Sequence, residues 1–289
     1  MVVLENERLK VSVKLKGAEL CSIIDKNSGV EYIWQGNPDV WAYHAPNLFP
    51  IVGGLKNNTL NVNGNQYPLS RHGLARTSMF RRIESSPENA VFSLAFDEET
   101  LKMYPYKFEF EVVYHLREDT LDILYKVINK DDKRIYFSVG AHPAFNVPLE
   151  EDENYDDYYI EFNKPEELLS SSLSSEGLFN GQQKVILTEG GKLPLNHELF
   201  ANDALVFKNL ESKKVSLKNR KGTKEIVVDF PNFKELGIWA KPGAPFVCIE
   251  PWLGHADNEL GHQDISEKMG IQDVEHGHVF EAVYSITIK

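Results

Sequence analysis

Four short segments carry side chains able to move a proton or hold a hydroxyl. The most telling is Cys248-Ile249-Glu250-Pro251-Trp252-Leu253. Residues 245–249 read as a buried apolar strand that Pro251 should end, so Glu250 enters a place where a carboxylate faces desolvation unless a partner or a substrate satisfies it. Burial raises a carboxyl pKa toward the range where proton transfer at neutral pH is efficient. Glu250 is therefore a candidate general base.

The second segment, Gly140-Ala141-His142-Pro143-Ala144-Phe145-Asn146, supplies an acid. Pro143 biases His142 toward extended backbone and removes a donor, which projects the imidazole from a strand end. That suits a proton donor, and it equally suits a core histidine bonded to a carbonyl. In the third, Ser70-Arg71-His72-Gly73-Leu74-Ala75-Arg76, a histidine sits between two arginines beside a glycine that lets the backbone approach closely. The plain alternative is a solvated polar loop. The fourth places Asp203 at the start of the apolar run 204–207. There it is either a turn residue or an acceptor for sugar hydroxyls.

The elements that must position these groups are strands. Phe108, Phe110, Val112, Tyr114 and Leu116 alternate with Glu109, Glu111 and His115. Leu121, Ile123, Tyr125 and Val127 answer them across a polar turn, the pattern of an antiparallel hairpin. Asn63-Gly64 marks a tight hairpin turn, and residues 279–288 alternate to the end of the chain. Helical periodicity is weak, with single turns expected near 194–200 and 265–269. The acidic stretch 150–157 and the serine-rich stretch 170–175 read as loops inside one domain spanning residues 1–289. The expected fold class is all-β, a large antiparallel sandwich.

Composition narrows the partners. At 289 residues, 42% hydrophobic and 26% charged, the chain can bury an ample core. Its net charge of -12 argues against general affinity for nucleic acid or anionic membrane. The preferred partner is small and neutral. Neither a secretory signal nor a membrane-spanning run stands out, and Cys21 and Cys248 are too few for a disulfide framework. A cytoplasmic location and two buried thiols are expected.

Taken together, the segments resemble the aldose 1-epimerase (galactose mutarotase) family, most closely its LacX-like branch. The resemblance covers nearly the whole chain. It rests on Asn47-Leu48-Phe49-Pro50-Ile51-Val52-Gly53, His72-Gly73-Leu74-Ala75-Arg76, Ala141-His142-Pro143-Ala144-Phe145-Asn146, and Lys241-Pro242-Gly243-Ala244-Pro245 running into Glu250-Pro251-Trp252, with Asp257 following. The resemblance implies a β-supersandwich whose cleft binds an aldohexose without metal or organic cofactor. It assigns Glu250 as base at the anomeric hydroxyl, His142 as acid at the ring oxygen, and His72 as a donor to a substrate oxygen. Asp203 would hold sugar hydroxyls, Arg71, Arg76 and Asn146 would join the binding set, and Trp252 would offer an apolar face to the ring.

One position departs from that pattern. Gly54 stands where many members carry a sugar-binding arginine, with Lys56, Arg71 or Arg76 as possible substitutes. The departure leaves three readings: a hexose mutarotase, a mutarotase for a phosphorylated hexose suggested by Arg71 and Arg76, and a noncatalytic carbohydrate-binding or sensing protein. The histidines and aspartates His255, Asp257, His262, Asp264, His276 and His278 match no compact ligand spacing, so no metal is expected there. A monomer or weak homodimer is expected.

Overall fold

The computed structural model describes residues 1–261 and 263–289. The hairpin expected from period-two alternation forms as Phe108–Arg117 and Thr120–Asn129, with Leu116 opposite Leu121 and Phe110 opposite Val127. Every second side chain along both strands is buried. The final strand, Val279–Ile288, pairs with Thr120–Asn129 and with Glu225–Asp229, which places this hairpin inside a nine-stranded antiparallel sheet. Asn63 and Gly64 adopt φ of 49° and 77° between Val62 and its partner Asn65. That is the positive-φ pair a primed hairpin turn requires.

A second sheet carries the candidate site. Its strands are Asn47–Leu48 (β1), Val139–Ala141 (β2), Ala144–Asn146 (β3), Leu168–Leu173 (β4), Phe179–Ile186 (β5), Leu205–Lys208 (β6), Glu235–Trp239 (β7) and Phe246–Leu253 (β8). The order is β5-β4-β6-β7-β8-β2-β1, and β3 pairs with β8 as well. One face packs on the nine-stranded sheet. Phe162 there meets Phe207 of β6 at 5.9 Å between ring centroids, and Tyr125 donates to Asn47 Oδ1 of β1 at 2.7 Å. Phe49, just after β1, stacks on Phe110 at 4.5 Å. Each such ring contributes about 1.5–3 kcal/mol on burial, so the back of the site sheet is held by a firm apolar layer. The fold is all-β, in agreement with the alternation in the sequence.

Three local expectations are corrected. Pro251 does not end its strand, because β8 runs on to Leu253. The Ile249 amide donates to Pro143 O at 3.2 Å, so the nitrogen two residues on faces the same side. The register on either side sets Pro251 opposite Ala141, the last residue of β2, immediately before the break between β2 and β3. The serine-rich stretch is not all loop: β4 extends to Leu173, and Ser170 Oγ accepts from the Val206 amide at 3.1 Å. The acidic stretch closes in a 3-10 turn, Tyr155–Asp157. Helix is confined to short pieces, among them the expected turns at His197–Phe200 and Ile265–Glu267 and an unforeseen α-helical turn at Glu98–Leu101. Among the described residues, no helix is long and apolar enough to cross a membrane.

Candidate active site

All eight residues of β8 are buried, because the strand is covered on both faces. Alternation puts Phe246, Cys248, Glu250 and Trp252 on the face away from the nine-stranded sheet. Over that face opens a cavity of about 720 Å³, lined by Glu250, Trp252, His72, His142, Arg71, Arg76 and Asp203 among others. Seven of the eight residues singled out from the sequence thus converge on one hollow. The exception is Asn146, whose amide donates to Glu31 O at 2.9 Å and Ile33 O at 3.1 Å and ties β3 to a flanking loop. Its donors are consumed by the backbone.

His142 follows β2 directly, and its Nε2 lies 3.2 Å from Glu250 Oε2. The two groups stand side by side. Glu250 is 1% exposed, and among the described residues neither of its oxygens has an aligned hydrogen-bond partner; His142 Nδ1 lacks one too. The 3.2 Å approach is therefore an electrostatic contact without hydrogen-bond alignment. Burial holds the Glu250 carboxyl well above the usual carboxylate range, with Asp203 adding to the rise and the Trp252 indole and Arg71 opposing it. Burial also pulls His142 down to about 3, helped by Arg76 and Arg71. Both directions favour a pair that holds one proton and no net charge across the neutral range.

His72 is set by the backbone. Its Nδ1 accepts from the Gly53 amide at 3.1 Å, and its own amide donates to Gly53 O at 2.9 Å. With Nδ1 occupied as acceptor, the neutral ring carries its proton on Nε2. Burial, then the neighbouring His142, keeps this imidazole well below its ordinary value, so it stays a neutral donor. Its ring meets His142 edge-on at 5.5 Å. Trp41 stacks on His142 at 5.1 Å and Trp239 meets it edge-on at 5.9 Å. Neither tryptophan was singled out by sequence, since each lies in a stretch without periodic signal.

Asp203 is a turn residue whose side chain stands at the cavity wall. It holds φ of 74° in the turn after His197–Phe200, accepts from the Ala204 amide at 2.7 Å, and lines the cavity. Arg71 Nη1 lies 4.0 Å from Asp203 Oδ2, while its Nη2 donates to Glu176 O at 3.0 Å. Arg76 lies over the Tyr43 ring at 5.1 Å, with its Nε unpartnered among the described residues. Of the three substitutes considered for Gly54, Arg71 and Arg76 reach the cavity lining, whereas Lys56 turns to Glu259 O at 2.8 Å. A Cβ at Gly54 would meet Leu178 at 3.4 Å, beside the loop that Arg71 already contacts.

Trp252 occupies a slot cut by two glycines. A Cβ on Gly237 would lie 2.6 Å from its indole, and one on Gly140 would lie 2.7 Å away. The ring lies on the sheet only because both neighbours lack side chains. Its Nε1 has no aligned partner among the described residues.

The C-terminal histidines do not form a metal centre among the described residues. His255 Nδ1 contacts Ala256 O at 2.9 Å, His276 Nδ1 contacts Asp131 O, Asp257 pairs with Lys268 and Asp264 caps a 3-10 turn; His262 lies outside the described residues. Both cysteines are buried free thiols, as expected.

The sequence profile described as aldose 1-epimerase matches residues 1–263. The chain is 35% identical over 296 aligned positions to the plasmid-borne protein LacX of Lactococcus lactis subsp. lactis, covering 99% of each. Among solved structures, a galactose mutarotase related enzyme from Lactobacillus acidophilus superposes with a TM-score of 0.94 at 35% identity, over 100% of this chain and 97% of that one. A galactose mutarotase-like protein from Lactobacillus casei gives 0.93 at 32% identity over the full length of both. By profile, by full-length identity and by fold, the chain belongs to the aldose 1-epimerase family.

Proposed function

We propose that this protein interconverts the α and β anomers of an aldohexose, with Glu250 and His142 as the acid–base pair. The observation that carries the reading is the pair itself, 3.2 Å apart on the wall of a 720 Å³ cavity. The anomeric hydroxyl and the ring oxygen are bonded to the same carbon, so adjacent groups serve them better than opposed ones. Glu250 takes the hydroxyl proton as the C1–O bond to the ring oxygen breaks, and His142 Nε2 gives its proton to that oxygen. Rotation about C1–C2 turns the aldehyde. Reclosure with the roles exchanged returns both protons and gives the other anomer.

The reactive arrangement, carboxylate beside imidazolium, contains the same single proton as the neutral pair. Hydroxyl donors of a bound sugar reach the orphaned Glu250 oxygens and favour the charged form of the carboxyl. His72, a fixed neutral donor, and Asp203, an acceptor, orient the ring, and Trp252 covers its apolar side. Mutarotation proceeds slowly in water, so a positioned acid and base suffice, each contributing roughly 10²–10⁴-fold.

Anomer-exchange NMR on freshly dissolved hexoses tests this reading: the protein should accelerate exchange for at least one aldohexose. Binding by calorimetry with no rate effect across the panel would select a sugar-binding protein instead. A second reading, a phosphorylated hexose as substrate, is favoured by Arg71 and Arg76 on the same wall. Faster turnover of neutral hexoses than of their 6-phosphates would dismiss it.

A further inference from the structure

The acid–base mechanism leaves one chemically capable group beside the site unused. Cys248 stands two residues before Glu250 on β8 and so shares its face. Each of His142, Cys248 and Glu250 offers a ligand atom within 4.8 Å of the other two, and all three residues are buried. A second observation points to a ligand here: both Glu250 oxygens and His142 Nδ1 are orphaned among the described residues, in side chains that line the cavity. The cavity reaches His142 and Glu250 and has room for a further ligand, while Cys248 lies behind its wall.

The donor set selects the cation. One sulfur, one imidazole nitrogen and one carboxylate oxygen suit a borderline or soft divalent ion and offer too few oxygens for magnesium or calcium. Zinc bonds of about 2.0–2.3 Å place tetrahedral ligand atoms roughly 3.3–3.7 Å apart. The 4.8 Å limit exceeds that spacing by about 1 Å, a gap that metal binding must close by side-chain movement.

We propose that His142, Cys248 and Glu250 form a site for one thiophilic divalent cation, Zn²⁺ or Cd²⁺, at the end of the cavity that the acid–base pair occupies. The thiol S–H bond and the carboxyl O–H bond of the neutral pair break, both protons pass to buffer, and sulfur–metal, oxygen–metal and nitrogen–metal bonds form. No electron is transferred. The bound cation occupies the lone pairs that catalysis would use, so it acts as an inhibitor and not as a cofactor. The cation site rests on the ligand geometry alone; only the inhibition rests on the proposed mutarotation.

Cadmium titration of chelator-treated protein tests the site by the ultraviolet absorption of the cadmium–thiolate bond. One equivalent should saturate the signal, with proton release. The signal should survive Cys21→Ala, whose thiol lies in the separate three-stranded sheet and donates to Ser12 O at 3.3 Å. Cys248→Ala should abolish it while leaving basal anomer exchange unchanged. No thiolate signal in the wild type, or a signal that persists in Cys248→Ala, overturns the site. Should Cys248→Ala fail to fold, Glu250→Gln decides: calorimetric affinity for Cd²⁺ should fall at least about tenfold, and an unchanged affinity overturns the proposal. In the active wild type, Zn²⁺ should stop exchange and EDTA should restore it. Failure of that arm alone, with the cadmium signal intact, refutes the acid–base assignment and leaves the metal site standing.

Discussion

The hairpin Phe108–Asn129 and the strand Phe246–Leu253 are both central antiparallel elements, yet they treat buried polar atoms in opposite ways. In the hairpin, Tyr114 donates to Ala18 O at 2.7 Å and Tyr125 donates to Asn47 Oδ1 at 2.7 Å. Every polar group pushed into that part of the core has an aligned partner. On β8, Glu250 is as fully buried as those two tyrosines, yet both its oxygens are orphaned among the described residues. An unsatisfied buried polar group costs about 1–3 kcal/mol, more when charged. A fold able to satisfy the hairpin so fully keeps the second arrangement at a cost in stability, and under the proposed function a substrate's hydroxyls supply the missing partners from the hollow in front of it.

The sharpest way to break this contrast is Glu250→Gln. Anomer exchange, measured by NMR, should fall by roughly 10²–10⁴-fold, because the amide cannot take a proton. Thermal stability should hold or rise, since the substitution removes a carboxyl from a dry site. Retained activity, or a large loss of stability without loss of activity, would make Glu250 an ordinary structural residue.

How much of this was legible in the sequence follows the same divide. The hairpin strands were readable because burial on one face writes a period of two. Glu250 was readable because a carboxylate within an apolar run is conspicuous. The course of β8 past Pro251 was not, because the strands that pair with it on either side belong to other segments. Trp41 and Trp239 escaped for a similar reason: their contact with His142 exists only after long-range pairing. Asn146 was misplaced because a motif position does not reveal that its amide is spent on Glu31 O and Ile33 O. The adjacency of His142 and Glu250, in place of the opposed placement expected, is also a product of strand register.

A second substitution asks whether the site's floor tolerates what ordinary strands tolerate. Gly237→Ala places a methyl 2.6 Å from the Trp252 indole, with Glu250 opposite Gly237 across the ladder. Overpacking should lower unfolding free energy by about 2 kcal/mol and raise KM as the indole shifts. A denaturant midpoint equal to wild type would show that the slot is loose.

The hairpin can be probed by Tyr125→Phe. Losing the hydroxyl strips Asn47 Oδ1 of its donor. Stability should drop by about 1 kcal/mol with anomer exchange unchanged, the reverse of the outcome at Glu250. Equal losses of stability and activity would erase the distinction between the two regions.

The smallest effect concerns pH. Behind the Phe179 wall, His255 is buried and pulled down to about 4, first by desolvation and then by Lys208, with Lys268 adding and Ala256 O and Asp257 opposing. A histidine depressed on folding contributes stability that is full above its unfolded value near 6.5 and is lost as pH falls toward the folded value. Over the step from pH 7 to pH 6 that loss is about 0.7 kcal/mol. His255→Gln should flatten this part of the wild-type pH profile, and comparing the two proteins cancels the raised carboxyls Glu19, Glu31 and Glu235, which act in the opposite sense. Parallel profiles in chemical denaturation would mean that His255 titrates in the fold as it does in the unfolded chain, and would remove it from the set of groups that burial keeps neutral.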